Sequence, residues 1–553
     1  MAKRTGVFVL SMGATFLAIF FLTGAQRNSH GGNSSNSFWL WTLAALALDS
    51  AEPGTAKVLT YHNDLARTGQ NSEERILTHA NVNVQKFGKV GFLNTDGLVD
   101  AEPLYVSGLT IGGRSHNIVF VVTEHDSVYA FDAETLAQLW HVSAIGSNET
   151  PSDDRQCAQV SPEIGITSTP VIALNGDGGV IYLVAMSKDR EGNYFQRLHA
   201  LDITTGAEMP GSPTAIEATF PNLKGHTTFD PKQYKERASL LLFDGVVYTT
   251  WASHCDEGDY TGWVIGYDAA TLKPANVLNL TPNGNDGAVW MAGAGPAVDP
   301  QGFIYFLDAN GTFDSTLDSS GFPNHNDFGN AFLKLAATHD KLKVADYFNT
   351  HDTEAQSGKD LDLGSGGALV LPDLQDASGK TWQLAVGAGK DKRIYLVNRN
   401  DMGKFHRKKN SGIYQEIDHA FTGQVFSMPA YFNNTLYFGA INDNLKAYSF
   451  NNAKLQPEPT SKSAAHFAYP GATPSVSADG NSNGIVWAVE ARGSEAGVLH
   501  AYDTADLTHE LYSSAQSHGR DAFADNKFIT PMIANGRVFV GTLTGVMVFG
   551  LLP

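Results

Sequence analysis

Cysteine is almost absent: Cys157 and Cys255 are the two in 553 residues. One disulfide at most can form, which excludes a disulfide-stapled scaffold and a cysteine-built zinc site. No C-x-x-C-H occurs, so no haem is attached by the usual route. Basic residues are also scarce: 38 Lys and Arg stand against 57 Asp and Glu, a net charge of -19, and no basic stripe offsets the balance locally. Such a chain repels polyanions, and nucleic acid is not expected as a partner. The glycine runs at 364–367 and 387–390 lack the strand, Gly-Lys-Ser/Thr and helix context of a phosphate loop, and no H-E-x-x-H is present. Charged residues make up only 17%, while glycine numbers 55 and aromatics reach 10%, the composition of a turn-rich β protein.

Long apolar runs are confined to the N-terminus. Lys3 and Arg4 precede the apolar stretch 6–24, so residues 1–24 read as a signal peptide or a retained membrane anchor. A second, shorter apolar segment at 38–48 lies within a linker, 25–57, that also holds the low-complexity run 28–37. The expectation is an exported chain that is periplasmic, secreted or anchored, touching a membrane only through this N-terminal segment.

What the chain has in quantity is a repeat. From about residue 100 onward a Pro-bearing approach, a β-branched strand, a turn and a strand ending in aromatic-Asp recur. Examples are "VFVVTEHDSVYAFDAETLAQLW" (119–140), "VVYTTWASHCDEGDYTGWVIGYDAATL" (246–272) and "GIVWAVEARGSEAGVLHAYDTADL" (484–507). Apolar and polar positions alternate with period 2, the pattern of half-buried antiparallel strands. Small sheets repeating every 35–60 residues cannot bury their faces alone and must stack around a ring. We therefore expect an all-β chain over 58–553, an eight-bladed β-propeller of four-stranded blades, with seven blades as the alternative. The last repeat, 527–550, is one strand short, and "KFGKVGFLN" (86–94) is the candidate to complete it. The segment 60–83 reads as a helical turn capping the ring.

With the consensus aromatic-Asp-Ala-x-Thr followed by Trp in view, the chain resembles the pyrroloquinoline-quinone (PQQ) repeat proteins, the quinoprotein alcohol dehydrogenase-like propellers. The resemblance covers about 58–553 and implies PQQ and calcium as cofactors. It also implies a small-molecule alcohol or sugar as substrate and an external electron acceptor. Laid without a gap over the family's calcium segment, "CDEGDYTG" puts Glu257 on the metal. "WMAGAGPAVDPQGFIYFLDANG" puts Trp290 under the cofactor and Asn310 on the metal. "KDLDLGSG" makes Asp360 the base and a metal contact, with Asp362 as the alternative, and "KDKRIYLVNR" sets Lys390 at the quinone edge as a catalytic and cofactor-binding residue. The chemistry is coherent: calcium takes carboxylate and amide oxygens and polarises a carbonyl, while a carboxylate accepts the alcohol proton.

Two departures stand out: Cys157 is single where the family has adjacent cysteines, and Thr261 replaces the family Arg. Whether Cys157 and Cys255 pair is left open. Acids and glycines also favour turns for backbone reasons, so Glu257 and Asn310 double as turn residues. The run 479–490 satisfies a calcium-loop formula but reads as a strand of the repeat. The rival reading is a non-catalytic propeller that scaffolds or binds an envelope protein or glycan. It would leave Glu257, Trp290, Asn310, Asp360 and Lys390 dispersed.

Overall fold

Alternating β-branched and aromatic residues build the blades as the repeat requires. The computed structural model describes residues 56–493 and 495–553. The leader and nearly all of the linker lie outside the described residues. No helix among these residues is long and apolar enough to cross a membrane.

The described chain forms an eight-bladed β-propeller of small antiparallel sheets. Blade 1 holds Leu104–Ile111, Arg114–Val122, Ser127–Asp132 and Gln138–Ser143; blade 3 holds Leu241–Phe243, Val246–Thr250, Trp263–Asp268 and Pro274–Asn279. Blade 4 runs from Ala297–Val298 to Lys341–Asn349, blade 5 from Ala368–Val370 to Gln415–Ile417, and blade 7 from Ser475–Asp479 to Asp506–Ser513. Blade 8 has Met532–Ala534, Arg537–Thr542 and Gly545–Leu551 from the C-terminus, and its outer strand is Phe87–Asn94. That strand runs antiparallel to the last one, from Phe87 opposite Leu551 to Asn94 opposite Gly545. Phe87 then packs against Trp487 and Tyr512 of blade 7, at 5.3 and 5.0 Å between ring centroids, so closure also buries apolar surface between blades.

The aromatic-Asp-Ala-x-Thr signature caps the outer turn of a blade. Asp132 Oδ1 accepts bonds from Thr135 N (2.7 Å) and Oγ1 (2.8 Å), and Asp268 does the same with Thr271 at 2.8 and 2.6 Å. These turns also receive the neighbouring blade: Trp140 Nε1 donates to Ile203 O, and Tyr182 OH to Ala269 O. The calcium-loop lookalike at 479–490 lies in a hairpin of blade 7, with Glu490 engaged by Arg492 and His500.

Residues 56–71 depart from expectation. They form an irregular strap that bonds to every blade, and the one helical turn of 60–83 closes further on, from Val82 N to Thr78 O. Ser107 N and Ile172 N donate to the carbonyls of Ala56 and Leu59; Val298, Val370, Tyr431 and Val476 donate theirs to Leu65, Ala66, Thr68 and Gly69. Asn71 Nδ2 reaches Ile533 O in blade 8. Arg67, wholly buried, closes the set: Nε donates to Pro296 O, Nη1 to Thr60 Oγ1 and Tyr61 O, and Nη2 to Leu240 O of blade 3. A helix would spend these carbonyls on itself. Spread open, they satisfy inner strands that have no neighbour on the axial side. Gly69 is required here, at φ +69° with the His62 ring where a Cβ would stand.

Candidate functional site

In each blade, the turn between the second and third strands and the crossover to the next blade are carried to the same mouth of the ring. Those connections line one cavity. Blade 3 contributes Lys235 and Arg237 from its approach and Ser253, Asp256 and Tyr260 from its turn; Trp290 comes from the crossover to blade 4. Asn310 follows the second strand of blade 4, Asp360 and Asp362 lie in the next crossover, and Lys390 follows the second strand of blade 5. Phe426, Tyr469 and Phe528 come from the last three crossovers, and Gln159 and Val160 from the loop ahead of blade 2. The cavity measures about 140 Å³.

Four of the five sequence candidates converge there. Lys390 Nζ lies 2.6 Å from both Asp360 Oδ1 and Asp362 Oδ1, and Asn310 Nδ2 donates to Asp360 Oδ1 at 2.8 Å. Asn310 Oδ1, by contrast, is buried with no hydrogen-bond partner. Asp362 is enclosed; burial pushes its carboxyl up to about 6, against the pull of Lys390. Burial pulls the Lys390 ammonium down, but Asp362 and Asp360 outweigh it and hold it above the ordinary lysine value.

Glu257 is the correction. It does not line the cavity; it sits exposed on the rim, where its carbonyl accepts a bond from Gln233 Nε2 at 2.6 Å. Asp256 takes the inward position, with Oδ1 held by Tyr260 OH (2.8 Å) and Ser253 Oγ (2.5 Å). The physical reason is the turn: Cys255 and Asp256 both have positive φ, 52° and 53°, which rotates the chain so that the side chain one residue before Glu257 faces the cavity. Met291 and Ala292, just after Trp290, and Asp360 are likewise non-glycine residues at positive φ (46°, 53° and 56°). Such backbone strain gathers at functional sites.

Trp290 makes edge-to-face contacts with Phe426 and Phe528, at 5.8 and 5.3 Å, and Tyr469 closes the circle against both at 5.8 and 5.7 Å. The result is a four-ring collar at the end of the channel. Below it, Gly295 rests on the Arg67 guanidinium, with no room for a Cβ, so the strap forms the foundation of the cavity floor.

Cys157 and Cys255 are joined, with Cα atoms 6.1 Å apart, across 98 residues. The bridge ties the loop carrying Gln159 to the turn carrying Asp256. Cys157→Ser with Cys255→Ser is expected to cost about 2–5 kcal/mol in urea unfolding, with the loss mimicked by reductant in the wild type.

Sequence reasoning missed Asp256, Lys235, Arg237 and the three rings that join Trp290 in the collar. Asp256 was legible as one of three acids in the turn. The two cations carried only the weak signal of "YKERAS" (234–239), charged residues beside a strand.

Among the described residues no three His, Cys, Asp or Glu side chains cluster as a ready metal site. The donor set nevertheless suits a hard cation: Asp256, Asp360 and Asp362 line the cavity with an unpartnered amide oxygen, and Lys390 supplies the positive charge between two of the acids.

The eight-bladed ring is a fold shared with solved dehydrogenase structures. The chain is similar to the quinohemoprotein alcohol dehydrogenase of Comamonas testosteroni (15% identity, 90% of this chain and 80% of that one, TM-score 0.56). It is also similar to the quinohemoprotein alcohol dehydrogenase ADHIIG of Pseudomonas putida HK5 (15%, 90% and 80%, TM-score 0.57) and to a europium-containing methanol dehydrogenase (13%, 90% and 98%, TM-score 0.56). At these identities the likeness is one of fold. No family model and no curated protein matches the sequence.

Proposed function

We propose that the protein is an exported, metal-assisted quinoprotein oxidoreductase that takes PQQ and oxidises a hydroxyl of an alcohol or sugar, passing electrons to an external acceptor. The carrying observation is the buried, unpartnered Asn310 Oδ1 among three cavity carboxylates beside Trp290. Asn310 and Asp256, with Asp360 or Asp362, would hold the cation, and Trp290 would support the quinone ring. When bound, the quinone takes up the electrons of the alcohol and the cation polarises its carbonyl.

The chain's own residues orient and move the proton. Asp360, with its side chain largely open to solvent, accepts the substrate hydroxyl proton. Lys390, which bridges Asp360 and Asp362, would present its donors to the quinone oxygens. Calcium is the simplest ion, but three carboxylates also suit a trivalent one, in keeping with the europium-containing relative. Convergence of Trp290, Asn310, Asp360 and Lys390 favours this reading over a scaffold, which has no need of it.

The test is calorimetric titration of the purified chain with PQQ, alone and with calcium or europium, followed by dye-linked oxidation of alcohols and sugars. Metal-dependent binding that is lost in Trp290→Ala supports the reading; no binding under any condition overturns it.

A further inference from the structure

A second hollow opens beside the cavity, and the mechanism above makes no use of it. It measures about 310 Å³ and lies between blade 3 and a two-stranded arm, Thr219–Asn222 paired with Gly225–Thr228, that leaves the ring in the crossover from blade 2. Tyr260 lines both hollows, so the two are immediate neighbours.

The walls of this second hollow are fixed. At the tip of the arm Leu223 N donates to Asn283 Oδ1 at 2.7 Å, and Asn283 Nδ2 donates to His325 O at 2.7 Å, which ties the arm to the loops of blade 4. Asn285 N donates to Thr312 Oγ1 at 3.0 Å, and Thr312 N returns a bond to Asn285 O at 2.9 Å. On the inner side Tyr234 OH accepts bonds from Thr261 N and Trp263 Nε1, at 3.0 and 3.1 Å. Walls already ordered in this way bind a ligand without the cost of ordering them.

The lining is hydrophilic, whereas most small-molecule sites are largely apolar. Among the described residues the side chains of Thr227, Thr228, Asp259 and Asn285 make no hydrogen bond, and Gln233 spends only its Nε2, on Glu257 O. Amides and hydroxyls both donate and accept, and a carboxylate accepts, so this set matches a ligand with hydroxyls on several sides. Leu223, 75% exposed, adds one apolar surface. Two acids, Asp230 and Asp259, stand against the single cation Lys224, which disfavours an anion.

We propose that this hollow is a subsite for a neutral saccharide, and that the substrate of the neighbouring cavity is a short oligosaccharide, one unit of which is held here while another presents its hydroxyl. The link to oxidation rests on the quinone reading; the saccharide subsite does not.

The experiment titrates the full chain with cellotriose, maltotriose and xylotriose, and separately with PQQ and calcium, in wild type, Asn285→Ala and Thr227→Val. Both variants keep the backbone bonds that shape the walls. Wild type is expected to bind at least one trisaccharide, and each variant to weaken it about fivefold to tenfold, the effect of losing one hydrogen bond. In protein loaded with PQQ and calcium, KM for that trisaccharide should rise by the same factor with kcat held, the signature of lost uniform binding. Weakened trisaccharide binding in a chain that does not bind PQQ leaves the subsite standing and removes the quinone reading. PQQ binding without trisaccharide binding at millimolar concentration does the reverse. Equal trisaccharide affinity in wild type and both variants overturns the subsite, and a bound trisaccharide that the loaded protein does not oxidise overturns its link to the substrate.

Discussion

Asp256→Asn is expected to lower metal-dependent PQQ affinity at least about a hundredfold, while Glu257→Gln stays within about twofold of wild type. Loss of a residue that merely orients a metal ligand typically costs 10–100-fold, so loss of a direct carboxylate ligand should reach or exceed the upper end. Asparagine keeps the shape and the bond from Tyr260 OH but removes the charge that a hard cation needs. Turnover should fall in step, since the same cation polarises the reacting carbonyl. Glu257 is exposed and does not line the cavity, and its backbone carbonyl, which accepts Gln233 Nε2, is left in place by Gln. Titration of both variants with calcium and PQQ reads the contrast directly. Equal loss in the two, or a larger loss in Glu257→Gln, would return the metal to the rim of the turn and remove Asp256 from the site.

The second large effect lies beneath the cavity. Arg67→Ala is expected to destabilise the propeller by about 3–5 kcal/mol, since each buried carbonyl left without a donor costs about 1–3 kcal/mol. Four hydrogen bonds disappear at once, and the carbonyls of Pro296, Leu240 and Tyr61 are left buried without donors. Lysine does not restore them, because a single ammonium cannot reproduce the fork that reaches both Pro296 and Leu240. Because Gly295 rests on the guanidinium, the floor next to Trp290 loosens with it, and ligand affinity should fall even where the ring still folds. Urea unfolding of Arg67→Ala and Arg67→Lys, each followed by PQQ titration at low denaturant, tests both statements. A shift below about 1 kcal/mol would mean that the strap is an accessory rather than the axle of the ring.

Much of the site was legible because it is local. The family resemblance marked Trp290, Asn310, Asp360 and Lys390; Asn310 and Lys390 each follow the second strand of a blade, Trp290 and Asp360 lie in crossovers to the next blade, and both kinds of connection open at one mouth. Glu257 failed because its position depends on backbone dihedrals: two successive non-glycine residues in the left-handed region shift which side chain faces inward, and residue identity does not announce that. The strap over 56–71 was not foreseen for a related reason, although the helical turn expected in 60–83 does close at Thr78–Val82. Polar and small residues in "TYHNDLARTGQN" suit a turn of either kind, and the deciding partners are inner strands hundreds of residues away.

By itself the sequence determined the all-β class, the repeat and the closure of the last blade by an N-terminal strand. Those follow from composition and short-range periodicity. Tertiary structure alone decided the Cys157–Cys255 bridge, the presence of Asp256 rather than Glu257 in the cavity lining, the strap, and the meeting of Lys235, Arg237 and Asp256 in one lining. These depend on which distant segments meet at the centre of the ring, where burial sets the energy of every charge.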